Sequence, residues 1–175
     1  LARALVAVGE DRDLKTVFQL GQLDAATIHA MASRKRPEFN VSVFLESLSA
    51  SKHVEESVAA LELAAKWRIR ELYQTAMRLA RSSQADPQLR SAAMRVMGAL
   101  GNKETIPLLK VMAGKPANPK PAAIIGLLEV DQAEAANSAA DILQGTTQNE
   151  AIGKILGAFA GREGGGTLLA MELAK

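Results

Sequence analysis

The sequence predicts an all-α chain, an α-solenoid of antiparallel helix pairs. Three observations predict it. Alanine and leucine dominate a composition that is 48% hydrophobic but only 3% aromatic. Alanine loses no side-chain entropy in a helix and leucine little, whereas sandwiches and barrels draw on β-branched and aromatic residues. A proline-led helix start, Asp86-Pro87, returns about 32 residues later as Asn118-Pro119. Finally, the segment 54–67 carries two apolar stripes. Val54, Val58, Leu61 and Ala65 form one, and Ala60, Leu63 and Trp67 the other. A helix apolar on two sides is packed on two sides, which a stack of helix pairs provides.

The N-terminal part, 1–53, is the least regular. Leu1 to Val8 begins inside an apolar stripe with no N-cap. Asp11 or Asp13 is the expected cap of a short helix through Leu14, Val17 and Phe18, closed by Gly21. Asp24 caps a helix through Ile28 and Met31, and Arg36-Pro37 breaks the chain. Asn40 then caps a helix bearing Val41, Phe44, Leu45 and Leu48. From His53 to Ser82 there is no Gly or Pro, and periodicity alone would allow one helix of nearly thirty residues. Uncapped helices of that length are unusual, so a tight turn is expected near Trp67–Arg68, dividing 54–82 into two helices.

Three further pairs follow, at 86–114, 118–145 and 147–174. Leu89, Ala93, Val96, Met97 and Leu100 give a helical stripe, broken by Gly101-Asn102. A second helix through Ile106, Leu109 and Ala113 ends at Gly114. Ala122-Ala123-Ile124 repeats Ala92-Ala93-Met94, and the second helix of that unit runs from about Ala133 to Leu143. Thr147 and Glu150 have the spacing of a capping box ahead of Ile152, Ile155, Leu156 and Phe159. The turn Gly161–Gly166 leads to a last helix, Thr167 to Leu173.

The run Leu100-Gly101-Asn102-Lys103-Glu104-Thr105-Ile106-Pro107-Leu108-Leu109 resembles the inter-helix turn of HEAT-type repeats, and Leu89-Arg90-Ser91-Ala92-Ala93 resembles their first helix. The resemblance implies a HEAT-like or ARM-type superhelix. The unit after it departs from the pattern, with Val130-Asp131 in place of the glycine turn. Over about 54–175, Ala60-Leu61-Glu62-Leu63-Ala64-Ala65-Lys66-Trp67, Leu89–Leu100 and Phe159-Ala160-Gly161-Arg162-Glu163-Gly164-Gly165 occur in order. Together they resemble the HEAT-repeat region of planctomycete and verrucomicrobial proteins described as membrane-bound dehydrogenases. In that family a β-propeller precedes the helical array and a c-type haem domain follows it. The resemblance implies a piece of a larger bacterial, extracytoplasmic or periplasmic protein, in which this array is the non-catalytic scaffold. Neither a propeller nor a Cys-x-x-Cys-His motif lies in these residues, so no cofactor and no catalysis are assigned to them.

The chemistry-bearing residues fit that reading. There is no cysteine, which excludes disulfides, Cys-ligated metals and thiol catalysis. A net charge of +2 is too mild to imply nucleic acid. His29 and His53 are the only histidines, on different helices and with no grouping of ligating residues at i+3 and i+4 beyond the single Glu56, a poor case for a metal or an acid–base pair. Gly161–Gly166 precedes a helix, but lacks the Gly-Lys-Ser/Thr end of a phosphate loop. Glu55-Glu56 reads as a solvated face. The middle of the chain is basic, with nine Lys or Arg against three acids from Lys66 to Lys110. Arg70, Gln74, Arg78 and Arg81 share one face of a second helix and are the candidate partner-binding residues. An ordinary solvated face explains them as well.

The expected partners are neighbouring domains of the same parent chain or another protein, with weak self-association through the array ends. Leu169 and Leu173 are apolar on more than one side of the last helix, and an exposed apolar patch is expected there. A different class competes: a nucleic-acid-binding helical-repeat protein of the DNA-glycosylase type, using the basic groove. That class expects several aromatics in the groove, and this chain has one Trp and one Tyr.

Overall fold

A computed structural model describes the chain apart from residues 1, 3–5, 7–8, 22 and 116–118. The described residues form eleven α-helices and no strand. In chain order they are α1 (Asp11–Leu20), α2 (Ala25–Met31), α3 (Ser42–Ser49), α4 (Val54–Lys66), α5 (Tyr73–Arg81), α6 (Pro87–Leu100), α7 (Thr105–Gly114), α8 (Lys120–Val130), α9 (Gln132–Gly145), α10 (Asn149–Ala160) and α11 (Gly165–Leu173). Most of the opening stripe at 1–8 and the expected cap Asn118 lie outside the described residues. Within that stripe Val6 is buried.

Helix ends follow local chemistry, with three corrections to the expected caps. Asp24 accepts from the Thr27 amide at 2.8 Å, and Asp86 accepts from the Gln88 amide at 2.7 Å with Pro87 in the first turn. The N-cap of α3 is Val41 rather than Asn40, which stands one residue earlier and accepts from both the amide and the hydroxyl of Ser42. For α1, however, the N-cap is Glu10, not Asp11 or Asp13. Asp13 closes a capping box onto the Glu10 amide, while Asp11 accepts from the Glu38 amide. Nor do Thr147 and Glu150 form a box. The N-cap of α10 is Gln148, and the Glu150 carboxylate is taken by Lys154 one turn on.

The chain breaks at Trp67–Arg68, as the length argument required. Arg68 is the one non-glycine residue with positive φ among those described, at 55°. Its amide donates to the Ala65 carbonyl and the Ile69 amide to the Ala64 carbonyl, the paired bonds of a Schellman turn. Ile69 and Ala64 are both buried, giving the apolar contact that accompanies such a turn. A single 3₁₀ turn, Arg70–Leu72, then leads into α5.

At Gly101 the need for glycine is steric. A Cβ there would stand 2.2 Å from Thr105 Oγ1 and 2.4 Å from the Met97 carbonyl oxygen. Thr105 is fully buried. Its hydroxyl accepts from the Asn102 amide and pairs with the Tyr73 hydroxyl at 2.9 Å. Where the glycine turn is missing, Asp131 replaces it alone. It ends α8 and caps α9, accepting from the Ala133 and Glu134 amides.

Helix packs on helix in a definite order. α2, α4, α6, α8 and α10 each lie against the next. The intervening helices dress that row: α3 on α4, α5 on α6, α7 on α8, and α9 on α8 and α11. Notably, α7 packs chiefly on α8, the helix that follows it, and much less on α6, the helix that precedes it. α6 and α8 touch backbone to backbone through Gly98 and Gly126. A Cβ on Gly98 would meet the Gly126 carbonyl oxygen at 2.2 Å, and one on Gly126 would meet the Met94 oxygen at 2.6 Å. Small residues beside them, Ala92, Ala93, Ala122 and Ala123, are buried and keep the axes close. Trp67 is buried and donates its indole N–H to the Arg34 carbonyl, so it serves packing rather than display.

At the C-terminal end Leu169 belongs to the core, while Met171 and Leu173 are exposed. Leu156, expected in the stripe of α10, is also exposed.

Candidate functional site

The expected basic face divides. Gln74, Arg78 and Arg81 lie exposed on α5 and line a shallow depression of about 540 Å³ with Thr75, Met77 and Glu46 of α3. Arg70 is also exposed, but it sits in the 3₁₀ turn ahead of α5 and does not line that depression. Glu46 places one carboxylate at the rim, within 3.4 Å of the Thr75 hydroxyl.

A second depression, of about 440 Å³, adjoins the first through Arg81. Arg81 of α5, Arg90 of α6 and Lys115 after α7 surround a floor that includes Leu108, Val111 and Met112. Arg90 is nine-tenths buried, whereas Arg81 and Lys115 are exposed. Among the described residues Arg78, Arg81 and Lys115 form no ion pair, while Lys110, also on α7, is held by Glu134 of α9 at 2.7 Å. Helical spacing within α5 could not reveal Arg90 and Lys115 as part of this face, because they come from other elements. Arg90 was visible in the sequence only as part of the repeat pattern.

The remaining candidates have local roles. His29 is exposed, with Nδ1 3.8 Å from the Glu62 carboxylate, and Glu62 itself is paired with Arg95. His53 precedes α4 as its N-cap without a side-chain bond. Among the described residues no group of three metal-ligating side chains forms. Glu55 and Glu56 occupy the first turn of α4, where the helix dipole favours negative charge, and Glu56 accepts from Ser51. In the Gly161–Gly166 turn Gly164 takes φ 70°, and Arg162 pairs with Glu129 of α8. A Cβ on Gly165 would strike the Phe159 carbonyl oxygen, so this glycine is needed for packing. Glu150, exposed on α10, is held below the usual carboxylate range by its hydrogen bond with Lys154 and by that ammonium's charge.

The fold and this face define an all-α, helix-packed protein with a basic, apolar-floored groove. No family model matches the chain, and no curated protein or solved structure is found similar to it. None of the described helices is long and apolar enough to cross a membrane.

Proposed function

We propose that the chain is a non-catalytic HEAT-like repeat scaffold, an α-solenoid whose service is to present surface to another protein or to neighbouring domains. The observation that supports this reading is a set of lateral ties between neighbouring helices and the turns that end them. Arg95 of α6 reaches Glu62 of α4, Arg162 reaches Glu129 of α8, and the Trp67 indole reaches the Arg34 carbonyl, each across 33 residues of sequence. His29 and Glu62 stand at the same separation. Such recurrence is what a stack of like units produces, each tied to its neighbour at an equivalent position. The parent reading, a larger dehydrogenase with a haem domain, rests on the sequence resemblance alone.

The purified chain should scatter X-rays as an elongated particle. Assayed with sugars and alcohols and an artificial electron acceptor, it should show no turnover, and it should carry no stoichiometric metal or haem. Turnover or a stoichiometric cofactor would overturn the scaffold reading. A gene product with a propeller before this segment and Cys-x-x-Cys-His after it would support the parent reading.

A further inference from the structure

We infer that the depression between α5, α6 and α7 binds an acidic peptide segment that carries one apolar side chain, an inference that rests on the interaction-module reading above. Charge complementarity is the first argument. Arg81, Arg90 and Lys115 converge on one opening, and no carboxylate lines it. Arg81 and Lys115 are exposed and form no ion pair among the described residues, so their charge faces an entering partner. Arg78, in the adjoining depression, extends the positive surface along α5.

The second argument is the floor. Leu108, Val111 and Met112 line the opening, and Val111 is 58% exposed, an apolar surface that remains wet until something covers it. A partner with acidic groups alone would leave that floor hydrated. A partner with acidic groups flanking a leucine-sized side chain would cover it and meet the cations at the rim, the usual division between an apolar centre and a charged border. Nucleic acid fits less well. Stacking of bases needs aromatic side chains, none lines either depression, and Glu46 stands at the rim of the first.

The test uses the intact chain and fluorescence anisotropy. The probe is a short labelled poly-glutamate peptide with a central leucine. Comparison probes are the same peptide with central glycine, its glutamine counterpart, and a single-stranded oligonucleotide of equal charge. The leucine peptide should bind tightest and weaken as salt rises. Arg81→Glu and Lys115→Glu should each weaken it about tenfold or more, a change of about 1.4 kcal/mol. Val111→Ser should erase the preference for leucine over glycine while retaining the preference for glutamate over glutamine. All three side chains are exposed, so these variants should melt with the parent protein. Equal or tighter binding of the oligonucleotide, no binding of the leucine peptide, or binding indifferent to Arg81 and Lys115 would overturn the inference. Any of these results with an elongated scattering profile and no turnover leaves the scaffold reading standing, so the two failures are separable.

Discussion

The contact between Gly98 and Gly126 makes the sharpest demand on this sequence, and Gly98→Ala tests it. In an ordinary helix interior, replacing glycine by alanine gains about 1 kcal/mol, because alanine loses less backbone entropy. At Gly98 the added methyl would sit 2.2 Å from the Gly126 carbonyl oxygen and 2.6 Å from its Cα. A carbon–oxygen contact needs more than 3 Å, and the obstacle is backbone, so no side chain can rotate away. α6 and α8 would have to separate by about 1 Å, and a gap of that size forfeits about a quarter to a half of each dispersion contact across the seam. Overpacking of a close interior costs about 1–3 kcal/mol, and the immobile neighbour places Gly98 at or above the upper end. Net of the propensity gain, we expect a loss of about 2–3 kcal/mol, or about 5–10 °C in melting temperature for a chain of this length. The control is Gly157→Ala on α10, where a Cβ meets nothing within 4 Å. That variant should gain about 0.5–1 kcal/mol. Thermal melts followed by circular dichroism read both. If Gly98→Ala melts at or above the parent while Gly157→Ala rises as expected, the close crossing of α6 and α8 is wrong.

Four further outcomes are expected. Arg68→Val should cost about 1–2 kcal/mol, since a β-branched residue is poorly tolerated at φ 55°, whereas Arg68→Gly should cost little, because relief at φ offsets loss of the bond to the Ala99 carbonyl; urea melts separate them. Leu169→Lys should lose about 2–5 kcal/mol by placing a charge in the core, while Leu173→Glu should leave the melting temperature unchanged and reduce any association seen by light scattering; the reverse order would refute the assignment of Leu169 to the core. A double-mutant cycle on Glu62 and Arg95, both partly exposed, should give a coupling below about 1 kcal/mol that shrinks in salt. In Lys154→Ala, NMR titration should show the Glu150 carboxyl moving up toward its ordinary range; because the native value is depressed, whatever the pair contributes is present above the ordinary carboxylate range and fades as pH falls through the lowered one.

Helix existence was legible because alanine-rich stripes, Asp86-Pro87 and the Gly101 turn each have a local cause. The break at Trp67–Arg68 was harder, since the Schellman turn uses an arginine where glycine is usual, and only helix length argued for it. Caps were misplaced by a residue or more where several acids compete. Asp11 is drawn to the Glu38 amide, a contact 27 residues away that no local rule contains. Glu150 is drawn to Lys154 at i+4, which removes it from a capping box that spacing alone would allow. The candidate groove was half legible. Gln74, Arg78 and Arg81 share one helix, so a helical wheel finds them. Arg90 and Lys115 join them only through packing of α5, α6 and α7.

On the repeat reading proposed above, the lateral ties account for turn chemistry that varies along the chain while the contacts across neighbouring helices recur. His29, Glu62, Arg95, Glu129 and Arg162 fall at near-constant spacing, and the charges alternate from Glu62 to Arg162. Turn chemistry differs along the chain, from an arginine Schellman turn to a glycine turn to a lone aspartate, because any of them can reverse the chain. The tie positions have less freedom. A residue on one unit must meet its counterpart on the next, so a shift of one position would turn the side chain about 100° away around the helix. Each pair is worth little in stability, being partly exposed. Its effect is on register: sliding one helix by a turn would set Glu62 against Ser91 or Ala99 and leave Arg95 without its carboxylate. The α6–α8 seam is keyed by Gly98 and Gly126, whereas α4 brings no glycine to its seam with α6, and there the charges of Glu62 and Arg95 disfavour a slip. Swapping Glu62 and Arg95 should therefore preserve the fold and its melting temperature within about 1 kcal/mol, because register survives reversal of the pair. Placing Arg at both positions should broaden the melt and lower it more than either single change, and a sharp, unshifted melt for that variant would remove the register argument.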